Sequence, residues 1–141
     1  MTDLQAFAQR VFDAQPFTRF LGAQLVGCGP GEAQIKLEVL PQHKQQDGFV
    51  HGGVISYLAD NALTFAGGLA LGGSALTSEY KINYIRPARG VLLVARAYAK
   101  GHGKRQAVCQ CDIYYEDGGE ERLCAVAQGT IVSTVESVVE R

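Results

Sequence analysis

Between Val54 and Leu69 the chain carries its one long apolar helical pattern, and everything beyond Gly73 reads as strand. Val54, Ile55, Leu58, Ala62, Phe65 and Leu69 recur at the spacing of a helix, which is expected to end near Gly67-Gly68 or Gly72-Gly73. Residues 76–85, 91–100, 106–115 and 122–135 are strand-like, the last two joined by a turn at Asp117-Gly118-Gly119. A parallel sheet needs a crossover helix between successive strands, and this half of the chain has none. The expected architecture is therefore α+β, one antiparallel sheet wrapped around a single long central helix. The N-terminal part fits that plan. Leu4, Phe7, Ala8, Val11 and Phe12 predict an amphipathic helix over 3 to about 14, capped by Thr2 or Asp3 and stopped by Pro16. Strands follow over 21–28 and 32–40, with Gly29-Pro30-Gly31 as the hairpin turn; in the second, Ala33, Ile35, Leu37 and Val39 alternate with polar residues.

The length of 141 residues suits one domain spanning 1–141, long enough for a proper core. A formal net charge of −1 gives no global field that points to nucleic acid or to an acidic membrane. No basic, apolar leader opens the chain, and the longest nearly apolar run, 62–71, is about half a bilayer span. Cys28, Cys109, Cys111 and Cys124 have neither metal-type spacing nor the density of a disulfide scaffold, so they are expected as reduced, packed thiols in a cytoplasmic protein. His43, His51 and His102 are not at metal-ligand spacing, so no metal and no cofactor is expected. No serine nucleophile elbow or phosphate-cradling loop is present, which removes α/β-hydrolase and nucleotidase chemistry.

The chemistry concentrates between Gln45 and Thr64. A polar loop, 41–50, runs into His51-Gly52-Gly53, where the long helix begins. First-turn amides lack intrahelical acceptors and sit at the positive end of the helix dipole. The Gly52 N–H can therefore polarise a carbonyl and stabilise an oxyanion. The plainer reading is a tight loop-to-helix turn. Ser56, Asp60 and Thr64 follow Gly52 at intervals of four and share its face. Asp60 is a lone carboxylate on an otherwise uncharged helix, whereas a solvent face normally carries several charges. Gly52 and Asp60 lie eight residues apart, about 12 Å along one helix. If both act on one carbonyl, the site must pair Gly52 of one chain with Asp60 of another across a two-fold interface.

The string Asp-Gly-Phe-Val-His-Gly-Gly-Val-Ile-Ser-Tyr-Leu-Ala-Asp-Asn-Ala, from Asp47 to Ala62, resembles the signature of hotdog-fold acyl-CoA thioesterases. The subgroup is that of the phenylacetate-pathway thioesterase and the Arthrobacter-type 4-hydroxybenzoyl-CoA thioesterase. The later string from Leu76 to Ala88, Leu-Thr-Ser-Glu-Tyr-Lys-Ile-Asn-Tyr-Ile-Arg-Pro-Ala, resembles the strand that follows in that family. The resemblance implies hydrolysis of an acyl-CoA thioester. It implies Asp60, nine residues after the motif histidine His51, as general base or nucleophile. Gly52 would be the oxyanion amide, with Gly53 beside it, and Gln45 a polar amide orienting carbonyl or water. A hydroxyl is implied at Thr77, with Ser78 one register away, or at Thr64, one turn beyond the carboxylate; the sequence leaves these open. The family also implies homodimers paired into tetramers, with the site split between subunits.

Seven of the 13 Lys and Arg residues fall between Lys81 and Arg105, a span without Asp or Glu. Arg86, Arg89, Lys104 and Arg105 sit at expected strand ends, where they suit the phosphates of coenzyme A or simply keep strand edges solvated. Family members bind the nucleotide end near this region. Two other functions compete with hydrolysis: a hotdog hydratase or dehydratase, and a non-catalytic acyl-CoA sensor. The first needs a histidine beside the helix carboxylate. The second has no use for a desolvated carboxylate together with Gly52 and Gln45.

Overall fold

The computed structural model describes residues 2–135. Its helices are α1 (Asp3–Ala14), α2 (Pro16–Leu21) and α3 (Gly52–Leu71), and its strands β1 (Gln24–Gly29), β2 (Glu32–Glu38), β3 (Ala75–Tyr84), β4 (Leu92–His102), β5 (Gln106–Asp117) and β6 (Glu120–Ser133). The strands form one antiparallel sheet in the order β1-β2-β4-β5-β6-β3. This is the α+β arrangement the sequence predicts, and α3 lies inside the curve of the sheet. The strand alternation aims Ile35, Leu37, Leu93, Ala95, Ile113 and Ile131 at it, all essentially inaccessible to solvent. Helix α3 is long and apolar enough to cross a membrane by length and composition, but twelve of its 20 residues are buried within the fold. Cys109, Cys111 and Cys124 are buried among these core residues. Burial pushes the Cys109 and Cys124 thiols up to about 11 and raises Cys111 as well, so the three behave as packing residues.

The main departure from expectation lies at Pro16 to Gln24. Pro16 does not only end α1, where the Gln15 N–H bonds the Phe12 carbonyl; it opens α2. Proline is suited to a first helical position, where its missing N–H would lack an acceptor anyway. Helix α2 absorbs Leu21 and closes on Gly22, whose φ of 87° a glycine adopts without strain, so β1 starts at Gln24 rather than at 21. Of the two ends expected for α3 the second is the one observed: the helix passes through Gly67-Gly68 and stops at Gly72 (φ 87°). Gly67 stays helical because the sheet needs its lack of a side chain: a Cβ there would lie 2.5 Å from the Ile131 Cβ. Gly67→Ala is expected to destabilise the fold by about 1–3 kcal/mol through overpacking, read as a lower denaturation midpoint. Adding Ile131→Ala makes room, so the double variant should lose less than the sum of the single losses. Additive losses would show that the close approach carries no strain.

The loop before α3 is held from below. His43 is buried; its Nδ1 accepts the Leu40 N–H (3.0 Å) and its Nε2 faces the Leu21 carbonyl (2.9 Å), so a neutral ring with its proton on Nε2 satisfies both contacts. The His51 N–H bonds the His43 carbonyl (2.8 Å), and the Val50 N–H bonds the Ala88 carbonyl (2.9 Å). These bonds fix the entry into α3 and set its N-terminus beside the segment that carries Arg86 and Arg89.

Candidate active site

Asp60 lies on the face of α3 that meets β3, half-buried. Thr77 of β3 contacts Asp60 Oδ1 (2.7 Å) and Thr64 Oγ1 (2.6 Å), and Thr64 Oγ1 in turn lies 2.7 Å from the Asp60 carbonyl. The two hydroxyls thus join one network rather than competing for one role. Two hydroxyl protons serve three contacts: with Thr77 donating to Asp60 Oδ1, the Thr64 proton goes either to the Asp60 carbonyl or to Thr77 Oγ1. Among the described residues no group of the chain donates to Asp60 Oδ2. That oxygen is free for substrate or water.

Ser78 is placed differently from Thr77. Thr77 pairs with Ile131 and Glu79 with Thr130, so Ser78 is the extra residue of a β-bulge and is exposed. The bulge resets the alternation of β3, and Thr77 and Tyr80, three residues apart, both reach α3. Tyr80 does so through a hydrogen bond between its hydroxyl and that of Ser56.

A pocket of about 500 Å³ opens over Asp60, lined also by Gln15, Phe17, Tyr57, Thr64 and Thr77. Among the described residues Asp60 is the only charged one that lines it. The wall opposite β3 is polar. Thr18 contacts Gln15 Oε1 and the Tyr57 hydroxyl, both at 2.6 Å, while Asn61 Nδ2 donates to Gln15 Oε1 and Tyr57, both at 3.1 Å. Burial pushes the Tyr57 hydroxyl above its ordinary range, which keeps it a donor. Thr18 and Asn61 are buried polar groups whose hydrogen bonds lock the α1–α2 corner onto α3. Sequence reasoning missed Gln15, Thr18, Tyr57 and Asn61. Pro16 and Gly22, a first-turn proline and a closing glycine, were the available signal for the helix that brings two of them here.

The N-terminus of α3 is a separate place. His51 is the N-cap, and its Nδ1 accepts the Gly53 N–H (2.8 Å), so that amide is already engaged. The Gly52 N–H has no acceptor among the described residues, while the Gly52 carbonyl accepts from the Tyr84 hydroxyl (3.1 Å). Gln45, half-buried in the preceding loop, accepts the Asp47 N–H through its side-chain carbonyl, which leaves its amide NH₂ open. None of Gln45, His51, Gly52 or Gly53 lines the Asp60 pocket. One chain therefore holds the two halves of the expected machinery apart.

The basic residues also divide. Arg86 and Arg89 lie just beyond β3, near the start of α3, with Arg89 paired to Asp117 (3.4 Å). Lys104 and Arg105 lie in the turn after β4, where the Arg105 carbonyl accepts the Ser133 N–H (2.8 Å). The 11 residues of β4 separate the two pairs by about 35 Å. Arg96, between them, is tied to Glu121 at 2.8 and 3.0 Å and stands over the Tyr114 ring. Among the described residues no group of three His, Cys, Asp or Glu side chains is arranged to hold a metal.

Comparison with known proteins bears on this geometry. Residues 47–122 match the family model described as the thioesterase superfamily, a stretch that includes α3, β3, β4 and β5. The human protein named acyl-coenzyme A thioesterase 13 is 31% identical over 121 residues, covering 82% of each chain. A Halobacterium salinarum relative is 31% identical over 102 residues, 64% of this chain, which spans 65% of that relative's length. A thioesterase family protein from Silicibacter pomeroyi superposes with a TM-score of 0.87 at 29% identity, over 92% of this chain and 96% of the other. The E. coli PaaI protein from the phenylacetic acid degradation operon superposes with a TM-score of 0.85 at 22% identity, over 94% of each chain, and shows the shared fold.

Proposed function

Because this chain belongs to the thioesterase superfamily, we propose that it hydrolyses acyl-CoA thioesters to a free carboxylic acid and coenzyme A, with Asp60 as the reacting carboxylate. The observation that carries this reading is the state of Asp60: one oxygen held by Thr77, the other turned to a pocket with no second charge. A carboxylate so oriented takes a proton from water as the water adds to the carbonyl, or adds to the carbonyl itself to give a mixed anhydride that water then opens. In both routes the carbon–sulfur bond breaks, a carbon–oxygen bond forms, and the thiolate leaves to be protonated. Within one chain no histidine lines the pocket, so a hydratase would have to take its histidine across the subunit interface.

The oxyanion donor in this reading is Gly52 of a second subunit, supported by β3. In the sheet β3 is an edge, bonded only to β6, and it exposes Leu76, Tyr84 and Ile85. Thr77 at one end of β3 touches Asp60, and Tyr84 at its last residue touches Gly52. Antiparallel pairing of two β3 strands about a two-fold axis midway between Thr77 and Tyr84 would set each Thr77 across from Tyr84 of the partner subunit. Asp60 of one chain and Gly52 of the other then approach the same carbonyl, with Gln45 beside Gly52. The assembly is a homodimer, paired further into a tetramer, and its location is the cytoplasm, in keeping with four free thiols. Arg86 and Arg89, near Gly52, take the coenzyme A phosphates.

The test is thiol release from a panel of acyl-CoA esters and the matching acyl-pantetheines. Turnover of several esters is expected. Arg86→Ala with Arg89→Ala should raise KM for acyl-CoA at least about fivefold more than for acyl-pantetheine, with a flatter salt dependence. Binding of acyl-CoA without thiol release would instead favour the sensor. An equal change of KM for both substrates would make these arginines a solvated surface.

A further inference from the structure

Beside the Asp60 pocket lies a second cavity, of about 390 Å³, between α1 and the C-terminal half of α3. The two share Gln15, Thr64, Ala75 and Leu76, so a group bound at Asp60 meets the second cavity directly. Beyond those shared residues its walls are mainly Phe7, Ala8 and Val11 of α1 and Phe65 and Leu69 of α3, with Ser74 and Thr134 at one end, and among the described residues no charged side chain lines it. The two spaces thus divide the labour: a polar end that holds a carboxylate, then an apolar groove.

We infer that this groove holds the acyl group, and that the group is an unbranched aliphatic chain of about eight to twelve carbons rather than an aryl ring. This rests on the reading of Asp60 as the hydrolytic carboxylate. Two measures give the length. From Gln15 to Phe7 is eight residues of α1, about 12 Å at the helical rise, and an extended alkyl chain advances about 1.3 Å per bond, which gives about nine carbons. A methylene fills about the ~30 Å³ of a liquid water, so the cavity volume corresponds to about a dozen. A benzoyl or phenylacetyl group would leave much of that space empty and forfeit the contacts of its walls. A charge on the acyl group would be desolvated against Phe7, Ala8, Val11, Phe65 and Leu69, with no opposite charge among the described lining residues to meet it.

The experiment measures kcat/KM for straight-chain CoA esters from butanoyl to hexadecanoyl, with benzoyl- and phenylacetyl-CoA, on the intact protein. For the wild type, kcat/KM should rise about two- to fourfold per methylene up to about ten carbons and then level off. Decanoyl-CoA should exceed both aryl esters at least tenfold. Val11 is 38% exposed, so Val11→Trp can fill the groove from its rim, and it should lower the decanoyl-to-butanoyl ratio at least tenfold. Phe7→Ala should move the optimum two to four carbons longer, which guards against a folding defect in the first variant. Indifference to chain length, an aryl preference, or Val11→Trp lowering all esters alike would overturn the inference while leaving hydrolysis at Asp60 intact. Failure of folded wild-type protein to cleave any ester would sink the hydrolase reading itself, and this inference with it.

Discussion

Asp60→Asn is expected to lower turnover of the best acyl-CoA substrate at least about a hundredfold, close to 3 kcal/mol of transition-state stabilisation. The reason is specific to the geometry. Thr77 donates to Oδ1, and an asparagine carbonyl oxygen accepts the same bond, so the strand–helix contact survives. What disappears is the second oxygen, replaced by an NH₂ that is neither base nor nucleophile. KM should change little, since the groove and the polar wall are untouched, and the unfolding midpoint should stay near that of the wild type. Those two controls separate lost chemistry from lost structure. Turnover within a few-fold of wild type would remove Asp60 from the reaction and turn the pocket into a binding site.

Much of this arrangement was legible in the sequence, for reasons that also explain what was not. Helix α3 and the alternation of β2 are long periodic patterns, and such patterns are dictated by burial on one face. Asp60 stood out because a lone carboxylate on an apolar helix needs a reason. Helix α2 has only six residues, and its Phe17 and Phe20 are exposed, so no periodicity marked it; Pro16 then read only as a stop. That Thr77 rather than Ser78 faces Asp60 turns on the bulge at Ser78, which lies in the pairing of β3 with β6 and leaves no trace in local composition. The polar wall escaped notice because Gln15 lies between α1 and α2, Thr18 in α2 and Asn61 in α3, and they meet only when the α1–α2 corner folds onto α3. The basic residues looked like one cluster because they are consecutive along the chain. The length of β4 between them sends the two pairs to opposite ends of the sheet.

The composite site makes the second large prediction, and it is the most direct test of the account as a whole. Gly52→Pro removes the N–H that has no acceptor among the described residues. His51 already has φ −61° and ψ 134°, a conformation that a following proline favours, and a first-turn proline suits the helix. The bond from Tyr84 to the Gly52 carbonyl can persist. A homo-oligomer of this variant should be nearly inactive, as should one of Asp60→Asn. In a mixed dimer of the two, one composite site carries both defects and the other carries none, because intact Gly52 from the Asp60→Asn chain meets intact Asp60 from the other. The measurement is acyl-CoA turnover by mixed dimers purified through two different tags. The account predicts recovery to about half the wild-type activity per dimer. Mixed dimers that fold and associate yet stay as inactive as either parent would contradict it, and would place the whole reaction within one chain.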